Sequence, residues 1–193
     1  MCRPIKEVQG VVKKQARIKI FRSTIDLMEE YAMDEITIKM ICAYSGINRS
    51  TFYVYFLDKY DLFEQIQTYH KQRYQRLMNI VYNNFDKILK DNQKLLQFFR
   101  IVFMYIYRYQ RFFRAVFVTH PQKEYVIDMA KFTYQSYEKL LDDYTHVTDN
   151  IYYVNYLIGG QFGVIHTWLR RNCDETPEAM AQTMLTNTIK MRK

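Results

Sequence analysis

The stretch from Thr37 to Lys59, TIKMICAYSGINRSTFYVYFLDK, decides how this chain is read. Thr37 is placed to cap a helix in which Ile38, Ile41, Cys42 and Ser45 share one face at the i, i+3, i+4, i+7 spacing. Gly46 interrupts that pattern, and glycine alone takes the left-handed conformation of a tight turn without steric cost. Asn48 can cap a second short helix ending near Phe56. Ile47, Phe52 and Phe56 are expected to pack inward, leaving Arg49, Ser50, Thr51, Tyr53 and Tyr55 outward. An exposed short helix with an arginine, two hydroxyls and two phenols suits a nucleic-acid duplex. Hydroxyls bind phosphate oxygens, and an arginine can bond a guanine edge bidentately. Lys59 is expected to add a phosphate-facing ammonium at the next helix start.

Helical patterning continues on both sides. Upstream, residues 10–31 form a first helix with Ile20, Thr24, Leu27 and Met28 as its buried stripe. Downstream, Asp58 and Asp61 open a fourth helix that runs to about Asn83 or Asn84. Further helices are predicted over 91–109, 110–118, from Pro121 to about Asp142 or Asp143, over 149–171, and from Thr176-Pro177 onward. The predicted architecture is all-α, with about nine helices. A three-helix helix-turn-helix domain (10–58) is fused through the fourth helix to a helical bundle (59–193).

Composition agrees with that reading and excludes others. With 49% hydrophobic residues, 5 Gly and 3 Pro, the chain is too apolar for disorder and too poor in turn formers for many short strands. Three cysteines without a CxxC spacing imply no disulfide framework. No signal segment or apolar run of spanning length is seen, so a cytoplasmic protein without membrane contact is expected. The formal charge of +8 favours an anionic partner.

Residues Thr37 to Leu62 closely resemble the TetR family of bacterial regulators. The family pattern T-x-x-x-I-A-x-x-A-G-V-S-x-x-T-L-Y-x-H-F-x-x-K-x-x-L is met by Thr37, Ile41, Gly46, Ile47, Thr51, Phe52, Tyr53, Phe56, Lys59 and Leu62. Cys42, Ser45, Asn48 and Tyr55 stand for the usual Ala, Ala, Ser and His. The resemblance implies that Lys39, Arg49, Ser50 and Thr51 approach bases or adjacent phosphates, while Thr37, Tyr53, Tyr55 and Lys59 hold the phosphate backbone. Ala32 replaces a glycine usual after the first helix; left-handed backbone there would cost alanine roughly 1 kcal/mol. The family also implies a small-molecule pocket in the second half, for which Tyr105, Tyr109, Phe113, Tyr134 and His166 are candidates.

The second half carries two features of its own. Nine of the twenty residues from Phe98 to Phe117 are Phe or Tyr, and residues 70–114 hold ten basic side chains against two acidic ones. Arginine stems covering aromatic neighbours account for the charge, with an anionic effector or an acidic protein partner as the alternative. The segment from Ile158 to Leu185, IGGQFGVIHTWLRRNCDETPEAMAQTML, looks like the C-terminal region of TetR-like regulators with a glycine pair, a tryptophan and a Pro-Glu helix start. Gly159 and Gly163 lie one turn apart, where another helix can come close. They and Trp168 are therefore assigned to a homodimer interface.

These features predict a repressor that binds a palindromic operator in double-stranded DNA and is released by an unidentified small-molecule effector. No HExxH, GxSxG or paired catalytic carboxylates occur, so an enzyme is not expected, nor a cofactor or metal. Two alternatives stay open: a co-activator acting through protein contacts, and a metal-responsive regulator using His146, His166 or Cys173.

Overall fold

In the computed structural model the backbone is described for residues 5–84, 88, 91–142 and 150–190, and side chains for 15–80, 83–84, 88, 91–135 and 151–189. The described residues form helices and turns, without strands. The helices are α1 (Ile5–Glu30), α2 (Ile38–Ser45), α3 (Arg49–Tyr53), α4 (Lys59–Asn83), α5 (Asn92–Arg108), α6 (Gln110–Arg114), α7 (Lys123–Asp142), α8 (Asn150–Arg170) and α9 (Pro177–Lys190). Asp143, Lys87, Lys90 and His146 lie outside the described residues. The segment predicted as one helix over 110–118 is α6 followed by a π-helical turn, Ala115–Thr119. The chain divides into two compact units, one ending at His70 and one beginning at Lys71, with α4 running through the division.

In the first unit α1 packs against α2 and α3. Its stripe of Ile20, Thr24, Leu27 and Met28 is buried, as are Ile36, Ile41, Phe52 and Phe56 and the first turns of α4 through Leu62, Phe63 and Ile66. Buried Thr24 satisfies its hydroxyl by donating to the Ile20 carbonyl at 2.8 Å, so the stripe holds no orphan donor there. Ala32 is not left-handed, and its N–H donates to the Glu35 carboxylate at 2.9 Å, so the expected alanine cost does not arise.

In the second unit α9 packs most extensively on α5, burying Met180, Ala181, Met184 and Leu185, and α7 packs on α8. The aromatic run interlocks edge to face: Tyr105 with Phe113 at 5.6 Å, Phe112 with Phe113 at 5.4 Å, Phe103 with Trp168 at 5.2 Å. Trp168 is 1% exposed and donates its indole N–H to the Glu175 carbonyl at 3.0 Å. It anchors the turn between α8 and α9, where Asn172 and Cys173 both take left-handed backbone at φ 55°. The Trp168 indole, expected at an interface, is packed within its own chain.

Candidate functional site

The two helices around Gly46 are short, so their stability depends on how their ends are satisfied. Thr37 Oγ1 accepts from the Met40 N–H at 3.2 Å, and Asn48 Oδ1 accepts from the Thr51 N–H at 2.8 Å. Gly46, at φ 65°, ends α2 with its N–H on the Cys42 carbonyl. At the next helix Asp58 Oδ1 accepts from the N–H groups of Tyr60 and Asp61, while Asp61 Oδ2 accepts from the Leu57 N–H at 2.9 Å. Gln65 Nε2 also donates to Asp61 Oδ1 at 3.0 Å, and the bonds from Gln65 and Leu57 hold the Asp61 carboxyl below its ordinary range.

With the ends fixed, α3 presents a definite surface. Arg49, Ser50 and Tyr53 are exposed, and Lys39 and Thr37 are exposed on and beside α2. Thr51 and Tyr55 are half-buried, not fully outward as expected, and Tyr55 leans on Phe56 with ring centroids 6.1 Å apart. Ser50 donates its hydroxyl proton to Asn48 Oδ1 at 2.9 Å, which leaves its oxygen lone pairs as the group on offer. Thr37 is the reverse case, since its oxygen accepts the capping bond and its proton is not consumed by it. Burial pushes the Cys42 thiol up despite the Arg49 charge, so Cys42 contributes no anion to this surface.

Lys59 sits otherwise than expected. Its ammonium donates to the carbonyls of Met33 at 3.2 Å, Asp34 at 2.8 Å and Ile36 at 2.9 Å. An ammonium has three N–H donors, and all are engaged by the loop between α1 and α2, leaving none for a phosphate in this geometry. The Tyr60 ring covers the same charge at 5.0 Å. Sequence reasoning also passed over an apolar group beside α3, where Tyr44, Val54, Leu57 and Tyr60 are each more than half exposed. The available signal was Leu57, an apolar residue between a buried Phe56 and a capping Asp58.

The second unit holds a cavity of about 60 Å³ with walls from α4 to α9 and the π-helical turn. Its lining is dominated by Phe, Met and aliphatic side chains, with Tyr74, Tyr105 and Gln161 as polar members and no Lys, Arg, Asp, Glu or His among the lining residues. Of the five pocket candidates, Tyr105 and Phe113 line it. The others do not. Tyr109 meets Tyr105 edge to face with the guanidinium groups of Arg73 and Arg108 near its ring, Tyr134 packs on Val154 and Ile158, and His166 is exposed on α8.

Much of the basic charge in 70–114 is held against other groups. Lys71 pairs with Asp128 at 2.7 Å, Arg100 with Glu178 at 3.2 Å, and Arg114 bonds Asn172 at 2.6 Å. Gly159 and Gly163 are exposed, and a Cβ at either would meet nothing within 4 Å. Among the described residues no group of three or more His, Cys, Asp or Glu could hold a metal ion, and no helix is long and apolar enough to cross a membrane.

Two capped helices about a left-handed glycine, with a polar helix facing out, define a helix-turn-helix domain carried on a helical bundle. Residues 20–66 match the model for bacterial regulatory proteins of the tetR family, and residues 93–190 match a model for a transcriptional regulator C-terminal region. The chain belongs to the TetR family of transcriptional regulators. No curated protein matches it in sequence. Solved structures share its fold at low identity. The fatty acid degradation regulator FadR from Bacillus halodurans is 13% identical with a TM-score of 0.67, over 87% of this chain and 95% of that one. A putative TetR-family regulator from Syntrophomonas wolfei is 15% identical (TM-score 0.66, 92% and 95%). FadR from Bacillus subtilis in complex with stearoyl-CoA is 14% identical (TM-score 0.59, 88% and 95%).

Proposed function

We propose that this regulator is a repressor that binds a palindromic DNA operator as a homodimer and is released by a small-molecule effector. Residues 10–58 read the DNA, and residues 59–193 bind the effector and dimerise. The observation that carries the reading is α3 itself, a helix capped at Asn48 that exposes Arg49, Ser50 and Tyr53 on one surface. Arg49 is the base-reading group, Ser50 accepts from a base amino group, and Thr37, Lys39 and Tyr53 hold phosphates. Thr51 and Tyr55 serve at the edge of that surface, and exposed Val54 and Leu57 suit thymine methyl groups.

The exposed glycine face of α8, with Tyr152 and Tyr156 on the same helix, supports pairing with a second copy. A two-fold dimer sets its reading helices roughly 34 Å apart, one turn of the duplex. The apolar cavity supports the effector step, and the stearoyl-CoA of the Bacillus subtilis relative is in keeping with an apolar ligand. At about 60 Å³ it is far below the roughly 300–1,000 Å³ of sites for drug-sized ligands. An effector therefore favours a more open bundle, and that preference is what shifts the equilibrium away from the DNA-bound form.

The test is a gel shift with the DNA upstream of the protein's own gene. The wild type is expected to bind at low salt, and Arg49→Ala to lose discrimination between operator and random DNA by about tenfold or more. Absence of any shift at low salt, with capture of a protein partner instead, would show the co-activator reading to be the right one.

A further inference from the structure

Tyr125, in the first turn of α7, is 6% exposed, and its buried hydroxyl has no hydrogen-bond partner among the described residues. An unsatisfied buried hydroxyl is costly and uncommon, so its surroundings decide what it is for. The ring lies edge-on to Phe112 at 5.7 Å and to Phe117 at 6.3 Å. Phe117 lines the cavity, and so does Met129, one helical turn beyond Tyr125 on the same face of α7. Tyr125 therefore stands behind the Phe117–Met129 end of the cavity.

Two nearby hydroxyls, on Tyr74 and Thr133, have their protons engaged. Thr133 donates to the Met129 carbonyl at 2.8 Å, so the 2.7 Å contact between Tyr74 and Thr133 is a bond from Tyr74 to the threonine oxygen. Burial, with the Tyr105 and Tyr74 phenols close by, drives the Tyr125 phenol well above its ordinary pKa. It stays protonated and is a donor at any working pH. The cavity lining offers no cationic side chain, so an ionised group placed there would be desolvated without compensation.

We propose that the Tyr125 hydroxyl is the polar contact for the effector, an uncharged and mainly apolar molecule that presents one hydrogen-bond acceptor at the Phe117–Met129 end of the cavity. This rests on the reading of the cavity as the effector site. Methionines 78, 129 and 184 in the walls give the site room to adapt, because unbranched thioether chains repack easily.

Acetophenone and ethylbenzene test it, being close in shape and differing by one carbonyl acceptor. Titrated into the full-length protein by calorimetry, acetophenone is expected to bind about tenfold more tightly, the scale of one hydrogen bond to a buried donor. Tyr125→Phe is expected to remove that advantage, leave ethylbenzene affinity unchanged, and leave the melting temperature of the unliganded protein unchanged or higher. Magnetisation transfer from the probes to the Met129 and Met184 methyls places them in the cavity. If both probes bind there with equal affinity, or if Tyr125→Phe lowers the melting temperature of the free protein, the hydroxyl is satisfied internally or by water and the Tyr125 assignment is overturned alone. If neither probe reaches those methyls, the cavity reading itself fails, and this inference with it.

Discussion

The reading head and the aromatic bundle are held together in opposite ways. Around α2 and α3 each turn is closed by a short-range polar bond, from Thr37, Asn48, Asp58, Asp61 or the N–H of Gly46. In the bundle the cohesion comes from rings supplied by helices far apart in sequence, such as Phe103 and Trp168. Capping bonds fix helix ends to within a residue, which a surface that reads DNA needs. Ring packing fills volume without fixing one outline, which suits the opening proposed for the cavity. Under the proposed function the contrast assigns the head the part of a fixed template and the bundle that of the adaptable part.

The comparison breaks most visibly at Trp168. Trp168→Ala removes a fully buried indole and its bond to the Glu175 carbonyl, so a loss of about 3–5 kcal/mol is expected in chemical denaturation. Hydrogen exchange should place that loss in the bundle, with amides of α2 and α3 keeping their protection. Lys59→Met is the matching test in the head. It leaves the Met33, Asp34 and Ile36 carbonyls without their shared donor, at an expected cost of about 2 kcal/mol. Exchange should accelerate in the 33–36 loop first. A variant that keeps full stability but loses affinity for every DNA sequence would return Lys59 to the phosphate backbone.

The same contrast explains what could be read in advance. The caps and the glycine turn were legible because their bonds span two to four residues, a distance that sequence spacing expresses directly. The buried stripe of α1 was legible for the same reason, through helical periodicity. Lys59 was not, because its acceptors lie 23 to 26 residues upstream. Trp168 was assigned outward from its neighbouring glycines, yet its environment is set by Phe103 and Tyr107 from another helix. Among the pocket candidates, Tyr105 and Phe113 line the cavity and Tyr109 does not; Tyr109 is the non-helical cap residue between α5 and α6, a break that composition does not express. The π-helical turn that brings in Phe117 left no mark in the apolar pattern of 110–118.

The smallest effects come from two glycines, and they should differ in sign. A methyl at Gly46 meets no atom within 4 Å, so Gly46→Ala is opposed only by the left-handed backbone, at about 1 kcal/mol. Gly159 also has open space around it, but it sits inside α8 with helical backbone. There alanine is the better helix former, and the isolated chain should gain up to about 1 kcal/mol. If a second α8 packs against that face, the same methyl obstructs the approach of the two backbones. Gly159→Ala should then raise the melting temperature measured at high dilution while weakening self-association in analytical ultracentrifugation. A variant that gains stability and dimerises as well as the wild type would move the dimer contact off this face. Gly46→Ala has no such second term, so its loss should be the same at every protein concentration.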